Sequence, residues 1–579
     1  MEFALLGVIG VVTIVAAGIF SKKLGVAAPL ILIVIGVGGS FLYGQDVTIP
    51  HDVILTGLLP PILYAAAIKV PVVDFRRNFS SISALSVVLV LVTAFGTGFI
   101  LYLIFPDLSF AGGVAIGAVI SPTDAVAATA LGKKLGLPPR LVLILEGESL
   151  VNDATALVLL RSAVAAVAAT TALDFWDIAG DFVFAVVVAL VIGLLVGFVT
   201  VWVRSKLRDP MIDTVISFAV PFIAFIPAEH FHASGVLAVV VAGLYSGHQG
   251  ARHFSAQARI SERLNWRTAQ FLLENGVFLL MGFQILTLVR DVNQNLATSD
   301  AIVLGLVFTL IIIVVRYLFI APLLLLLRRQ GQLAEERQSR VADMIERLRA
   351  MAHLSDRGSR RVDRAQRIHD RRQTDLEQLK AEGLGWRGGV ILGWSGMRGV
   401  VTLAAAQSLP EGMPYRSQLV LLAFVVAVTT LLVQGGTLPF LIRWTGIRGT
   451  DRVADRRELA ALLEELGNAG VEALENPEFT LQDDQEIDPE VIERVRNDTL
   501  LSAESAWERA TFGTDERGVA RSPHQQYRAL RREVLQAERA ALLEARSSGI
   551  YPSRILARAQ SMLDLEETRL EQIDNPSGS

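Results

Sequence analysis

The sequence contains no cysteine. That excludes disulfides, Cys-ligated zinc and thiol catalysis, and it leaves the redox compartment unmarked. Charge is scarce as well. Asp, Glu, Lys and Arg make up 19% of the chain and gather in loops and one tail, so the net charge of −4 says little. No basic segment precedes the first apolar run; in MEFALLGVIGVVTIVAAGIFSKK the positive charges, Lys22 and Lys23, follow it. That order is expected of a retained first helix and not of a cleaved signal peptide. What is abundant is apolar sequence. Hydrophobic residues account for 52% of the chain and the mean hydropathy is +0.47. They come in blocks of about 20, the length that crosses a bilayer as a helix. The expected fold class is an all-α polytopic membrane protein.

About thirteen spans are expected, near residues 3–20, 25–43, 53–69, 80–105, 110–131, 140–168, 178–203, 211–229, 233–248, 266–288, 300–327, 388–409 and 417–444. The loops between them alternate in charge. One set carries Lys22/Lys23, Arg76/Arg77, Lys133/Lys134/Arg140, Arg204/Lys206/Arg208, Arg252/Arg259/Arg263 and Arg328/Arg329. The other set, GQDVTIPH, FPDLSF, TALDFWD, AEHFH, RDVNQNLATSD and LPEGMPYR, is poor in basic residues. The positive-inside bias then puts the N-terminus outside and the C-terminus in the cytoplasm.

The membrane domain is expected over 1–445, with an Arg-rich cytoplasmic insertion at 328–387. The insertion's spacing suits charged helices, such as a hairpin, with i,i+4 pairs, and its charge allows regulatory or anionic-lipid contact. Residues 446–579 read as a helical cytoplasmic tail, structural or regulatory, acidic from Glu472 to Glu493. Ser522 and Pro523 mark a helix start there and Gly549 a stop. The tail carries no nucleotide loop, metal spacing or nucleic-acid motif.

Polar residues inside the spans carry the functional signal. In GESLVNDATALVLL, residues 147–160, Asp153 lies roughly 18 Å into a ~30 Å hydrocarbon core. A carboxylate at that depth is a functional-site hypothesis by default. Burial penalises its charged form, so a proton and a small cation compete for one group. Glu148 and Asn152, four residues apart, share a helix face, and Asp153 lies about 100° further round. In the fifth span, ISPTDA sets Pro122 beside Ser121, Thr123 and Asp124. Proline removes a backbone donor and breaks a helix, and broken helices in lipid line protein-filled or watery cavities.

Arg316 stands as the lone charge in VFTLIIIVVRYLFIAPLLLL of the eleventh span, which demands a carboxylate partner. Glu148 is the expected one; the alternative is that Arg316 acts directly as a counter-charge displaced by the ion. In the twelfth span Gly393, Gly396 and Gly399 surround Arg398, so this helix is also expected to be interrupted, with Arg398 compensating helix dipoles. Spans 5 and 12 then run in opposite senses, as two discontinuous helices crossing in an inverted repeat. Glu274 and Asn275 either face the cavity or pack, Pro60 and Pro61 make the third span irregular, and His230 and His232 read as surface residues.

Four motifs in order, SPTDAVA, GESLVNDATALVL, AEHFHASGVLAVVVAGLYSG and GWSGMRGVVTLAAA, resemble the monovalent cation/proton antiporter-1 family of NhaP-like bacterial antiporters and animal NHE exchangers. The resemblance covers about residues 1–445. It implies that Asp153 is the carboxylate that binds Na+ or a proton, with Asn152 as its partner. It implies that Asp124, the Thr123 backbone carbonyl and the Ser149 hydroxyl complete the ion site, and that Na+ sits at Asp153 and Asp124 as cargo. Glu148 and Arg316 become a stabilising buried ion pair, and Arg398 and Pro122 support the broken helices. The resemblance further implies electroneutral one-for-one exchange, a homodimer in the plasma membrane whose six-helix core moves against a scaffold, and no cofactor. The large insertion departs from the simplest members.

The function expected is therefore Na+/H+ antiport by alternating access, with Li+ and K+ as further candidate cations, and not enzymatic catalysis. Partners are membrane lipid, monovalent cations and protons, without nucleic acid. A K+/H+ antiporter on the same scaffold is the alternative, because a site of oxygens discriminates by cavity size and ligand number. An intramembrane aspartyl protease would leave Arg316 and Arg398 unexplained, and a channel would need a continuous pore.

Overall fold

The structure, a computed structural model, describes residues 2–24, 28–43, 53–168, 175–207, 209–292, 298–352 and 384–447, with scattered positions between 457 and 566. Every regular element among them is helical, as a lipid environment that offers no partner for free backbone groups demands. The chain divides into two compact units, Met1–Gly449 and Thr450–Ser579.

In the first unit, α1 (Glu2–Leu24) and α2 (Ala28–Tyr43) are followed by a π-helical stretch, Val53–Leu58, and α3 (Leu59–Ala67). Pro60 and Pro61 sit in the first turn of α3 and are buried. Neither can donate to the preceding turn, and the irregular winding falls there. Two short helices, α4 (Val72–Arg77) and α5 (Phe79–Ser83), lead into α6 (Leu89–Ile104). Next come α7 (Phe110–Ile120), α8 (Val126–Leu135), α9 (Pro139–Ala168), α10 (Phe175–Arg204), α11 (Pro210–His230), α12 (Gly235–His253), α13 (Ala256–Val292) and α14 (Thr298–Ala352). The unit closes with α15 (Trp386–Trp394), α16 (Val400–Gln407) and α17 (Arg416–Thr445).

Among the described residues six segments have the length and apolarity to cross a membrane: Phe79–Ile104, Pro139–Val167, Gly180–Arg204, Pro210–His230, Ser299–Arg329 and Arg416–Thr445. Four shorter apolar helices, Gly7–Ser21, Ala28–Leu42, Val53–Ala67 and Phe110–Ile120, accompany them. Large apolar side chains such as Val187, Val191, Leu195 and Phe198 of α10 are exposed, as expected where the solvent is lipid. Helices approach closely through small residues. A Cβ on Gly98 of α6 would come within 2.7 Å of the Val114 backbone nitrogen in α7.

The insertion differs in part from the hairpin reading. Its first portion is not a separate element but the continuation of α14 to Ala352. The rest of the insertion, and the helix start at Ser522 and stop at Gly549, lie outside the described residues. The second unit is helical at each described position, with Arg531 3.5 Å from both Glu538 and Glu566.

One charge read as a loop marker proves internal. Arg204, at the end of α10, is 2% exposed. It donates to both Asp213 carboxylate oxygens at 2.8 Å and to Glu262 at 2.6 Å, and its guanidinium lies 4.1 Å from the centre of the Phe254 ring. Stripping one partner from such a network leaves buried charge uncompensated. Arg204→Ala is therefore expected to destabilise the membrane unit by about 3–5 kcal/mol, read as a lower melting temperature in detergent. An unchanged melting temperature would remove the network from the supports of the fold.

Candidate ion site

The site is built where two helices are broken. The first break, residues 121–125, separates α7 from α8, and the second, 395–399, separates α15 from α16. The two breaks meet backbone to backbone, the Asp124 N–H donating to the Met397 carbonyl at 2.7 Å. Gly399, the N-cap of α16, lies so close to Asp124 that a Cβ there would run into its carboxylate. Asp124 also accepts from the Val126 N–H at 2.8 Å, in the first turn of α8. One acid thus stands at two helix N-termini, where partial positive charge favours an anion.

Arg398 occupies the complementary place. Its guanidinium donates to the carbonyl of Ile120, at the end of α7, at 3.0 Å, and to the Gly396 carbonyl just beyond α15. Its backbone N–H donates to Thr430 of α17 at 3.1 Å. A buried cation (2% exposed) therefore answers the carbonyl ends of two half-helices.

Helix α9 supplies the remaining polar groups. Arg316 of α14 forms a bidentate pair with Glu148, at 2.5 and 2.9 Å, and donates from Nε to the Leu392 carbonyl at 3.0 Å. Both side chains are almost fully buried. Glu148 also accepts from the Thr123 hydroxyl at 2.9 Å. The Asn152 amide donates to the Thr123 carbonyl at 3.0 Å and to its hydroxyl at 2.9 Å. Asn152 Oδ1 is buried without a hydrogen-bond partner. The Ala125 N–H reaches the Ser149 hydroxyl at 3.4 Å. Glu148 and Asn152 therefore share the face turned to the first break, as their spacing requires.

Asp153, one position on, faces a cavity of about 410 Å³ that Pro122, Thr123, Asp124 and Ser149 also line. Among the described residues no side-chain hydrogen bond or ion pair to its carboxylate is seen. Glu148, Asn152, Arg316 and Arg398 lie outside the lining, behind the wall. Of the two smaller candidates on α13, Glu274 lines the cavity, whereas Asn275 turns back to donate to the Phe271 carbonyl at 2.7 Å. His230 and His232 are exposed.

Sequence reasoning missed the far end of the cavity. Lys69 donates to Gln270 at 2.5 Å, and Gln270 donates to Glu274 at 2.6 Å, a chain joining α13 to the residues just after α3. Beside it Lys133 and Glu146 pair at 2.8 Å with side chains 63% and 30% exposed, so the cavity reaches the surface there. Lys69 follows an apolar run and reads locally as a flanking charge; nothing in the sequence places Gln270 opposite it. Among the described residues no group of three or more His, Cys, Asp and Glu side chains could hold a metal ion. Four carboxylates line the cavity, Asp124, Glu146, Asp153 and Glu274; Asp124 and Asp153 stand beside the neutral oxygens of Thr123 and Ser149, a donor set suited to a small monovalent cation or a proton.

Comparison with known proteins identifies the family and the fold. The sequence matches the family profile described as sodium/hydrogen exchanger, transmembrane, over residues 10–444. It is 29% identical to an uncharacterized Na(+)/H(+) exchanger of Mycobacterium tuberculosis, over 97% of this chain and 96% of the relative. It is 26% identical to a sodium, potassium, lithium and rubidium/H(+) antiporter of Bacillus subtilis, over 72% of this chain and 58% of that protein. The fold matches that of a sodium proton antiporter from Methanocaldococcus jannaschii with a TM-score of 0.54, at 16% identity, covering 76% of this chain and 98% of the other.

Proposed function

Because the chain belongs to the sodium/hydrogen exchanger family, we propose that it exchanges one Na+ for one H+ across the plasma membrane, with Asp153 as the group that binds either ion in turn. The observation that carries this reading is the cavity that reaches from the Lys133–Glu146 surface to the carboxylates of Asp153 and Asp124 at the meeting of the two breaks. Asp153 has no competing protein donor and is free to take a proton or a cation. Its neighbour Asn152 carries no charge. In this reading Asp153 alone gives up its proton as the cation binds, so one proton moves per monovalent cation and transport moves no net charge. Asp124, Ser149 and the Thr123 carbonyl supply further oxygens. Arg398 and Pro122 keep the breaks open, and the Glu148–Arg316 pair holds the helices that carry them.

In this reading the N-terminus lies outside and the C-terminus in the cytoplasm, so the cavity opens to the cytoplasm and its closing and reopening on the other side gives alternating access. Spans 5 and 12 act as crossed discontinuous helices of an inverted repeat, and the protein works as a homodimer. K+/H+ exchange is the second reading, favoured by the range of cations in the name of the Bacillus subtilis relative.

Proteoliposomes with a pH dye inside test both readings. Adding external Na+ is expected to alkalinise the lumen at a rate insensitive to imposed membrane potential. A response to K+ alone would select the second reading, and a rate that follows the potential would refute one-for-one exchange.

A further inference from the structure

We infer that the hydroxyl of Thr402, on the second broken helix, is a ligand of the transported cation and helps set how well that cation competes with the proton. This rests on the antiport reading above and adds a residue to its site. Thr402 lies in the first turn of α16, three residues after its N-cap Gly399. It lines the same cavity as Asp153, Asp124 and Ser149. The residue is 1% exposed, yet its Oγ1 has no hydrogen-bond partner.

The Tyr64, Ser86 and Ser246 hydroxyls share that lack, but among the described residues no other threonine with a fully buried hydroxyl does. Thr97, Thr155, Thr309 and Thr430 each donate to a carbonyl three or four positions back in their own helices, at 2.6, 3.0, 2.8 and 3.0 Å. For Thr402 the carbonyls three and four back belong to Gly399, an N-cap with extended backbone, and to Arg398, both inside the break where the backbone has left the helix. The interruption thus withholds the partner that a helical threonine takes by default. A buried hydroxyl left unpaired costs free energy, and a cation or its retained water in the cavity removes that cost.

The chemistry gives the hydroxyl a one-sided effect. A carboxylate serves proton and cation alike. A hydroxyl oxygen coordinates a cation through a lone pair but takes up no proton in the working range. It therefore strengthens the cation's side of the competition alone.

The test compares Thr402→Val, Thr402→Ser and Thr402→Ala with the parent and with Asp153→Asn in proteoliposomes across a Na+ titration, with a melting curve for each. Valine keeps the shape and removes the oxygen. The half-saturating Na+ concentration is expected to rise about tenfold in Thr402→Val, the equivalent of one lost hydrogen-bond-strength contact, while the maximal rate stays within about twofold. Serine is expected to restore the parental value, and alanine, which leaves room for a water, to fall between. A purely structural threonine predicts the opposite for valine, because replacing an unpaired buried hydroxyl with an apolar group is neutral or stabilising and would leave half-saturation unmoved. That result, with Asp153→Asn inactive, overturns the role of Thr402 and leaves the antiport reading standing. Full activity in Asp153→Asn overturns the reading itself. If valine prevents folding, serine and alanine, which differ by one hydroxyl, decide: equal half-saturation overturns the proposal.

Discussion

Asp153→Asn is expected to abolish Na+-driven alkalinisation in proteoliposomes while leaving the protein folded and at least as heat-stable as the parent. The substitution keeps the side chain's size and removes both its proton-binding capacity and its charge. Because no side-chain hydrogen bond or ion pair to Asp153 is seen among the described residues, none is lost with its carboxylate. Its 7% exposure makes an uncompensated carboxylate costly, so the neutral amide is neutral or favourable for stability. Loss of activity together with loss of the folded protein would point to a structural role instead. Retained exchange would remove Asp153 from the transport step. The opposition of the two readouts is what separates an ion-binding acid from a packing one.

Arg316→Ala and Glu148→Ala are each expected to cost about 3–5 kcal/mol of stability, the range for leaving a buried ion unpaired, seen as a large fall in melting temperature in detergent. The pair is bidentate and nearly dry. The double variant buries no orphan charge, so it is expected to be no worse than either single. A thermodynamic cycle over the four proteins then yields a coupling of several kcal/mol, whereas additive losses would show that the two side chains do not support each other. Glu148→Ala is also expected to reduce exchange more than Arg316→Ala does. Glu148 anchors the Thr123 hydroxyl, whose backbone carbonyl and side chain position Asn152; Arg316 touches the site through Glu148 and the Leu392 carbonyl.

Much of this site was legible because lipid makes polar residues conspicuous. A lone arginine in an apolar run requires an acid, and Glu148 stood at a suitable depth; the two are in contact. Pro122 and the glycines around Arg398 announced interruptions by backbone chemistry that acts over one turn, and both helices are interrupted there. What escaped needed knowledge of neighbours across helices. Arg204 sits beside Lys206 and Arg208, where the local pattern says loop, and its burial depends on Asp213 and Glu262 converging from two other helices. The Lys69–Gln270–Glu274 chain joins residues about 200 positions apart. The unpaired state of Thr402 follows from where helical winding resumes, which a list of residues does not contain.

The 2.7 Å bond between the Asp124 amide and the Met397 carbonyl has a consequence for experiments on this protein. Both of its atoms belong to the main chain, so a scan that trims side chains passes over the seam without marking it. Exchanging the Asp124 carboxylate for an amide alters what the pocket offers an ion and leaves the stitch between the two interruptions in place. Proline at position 124 would remove the donor. Because proline also lacks the carboxylate, the cost of losing the stitch is read as the difference between the proline and amide variants.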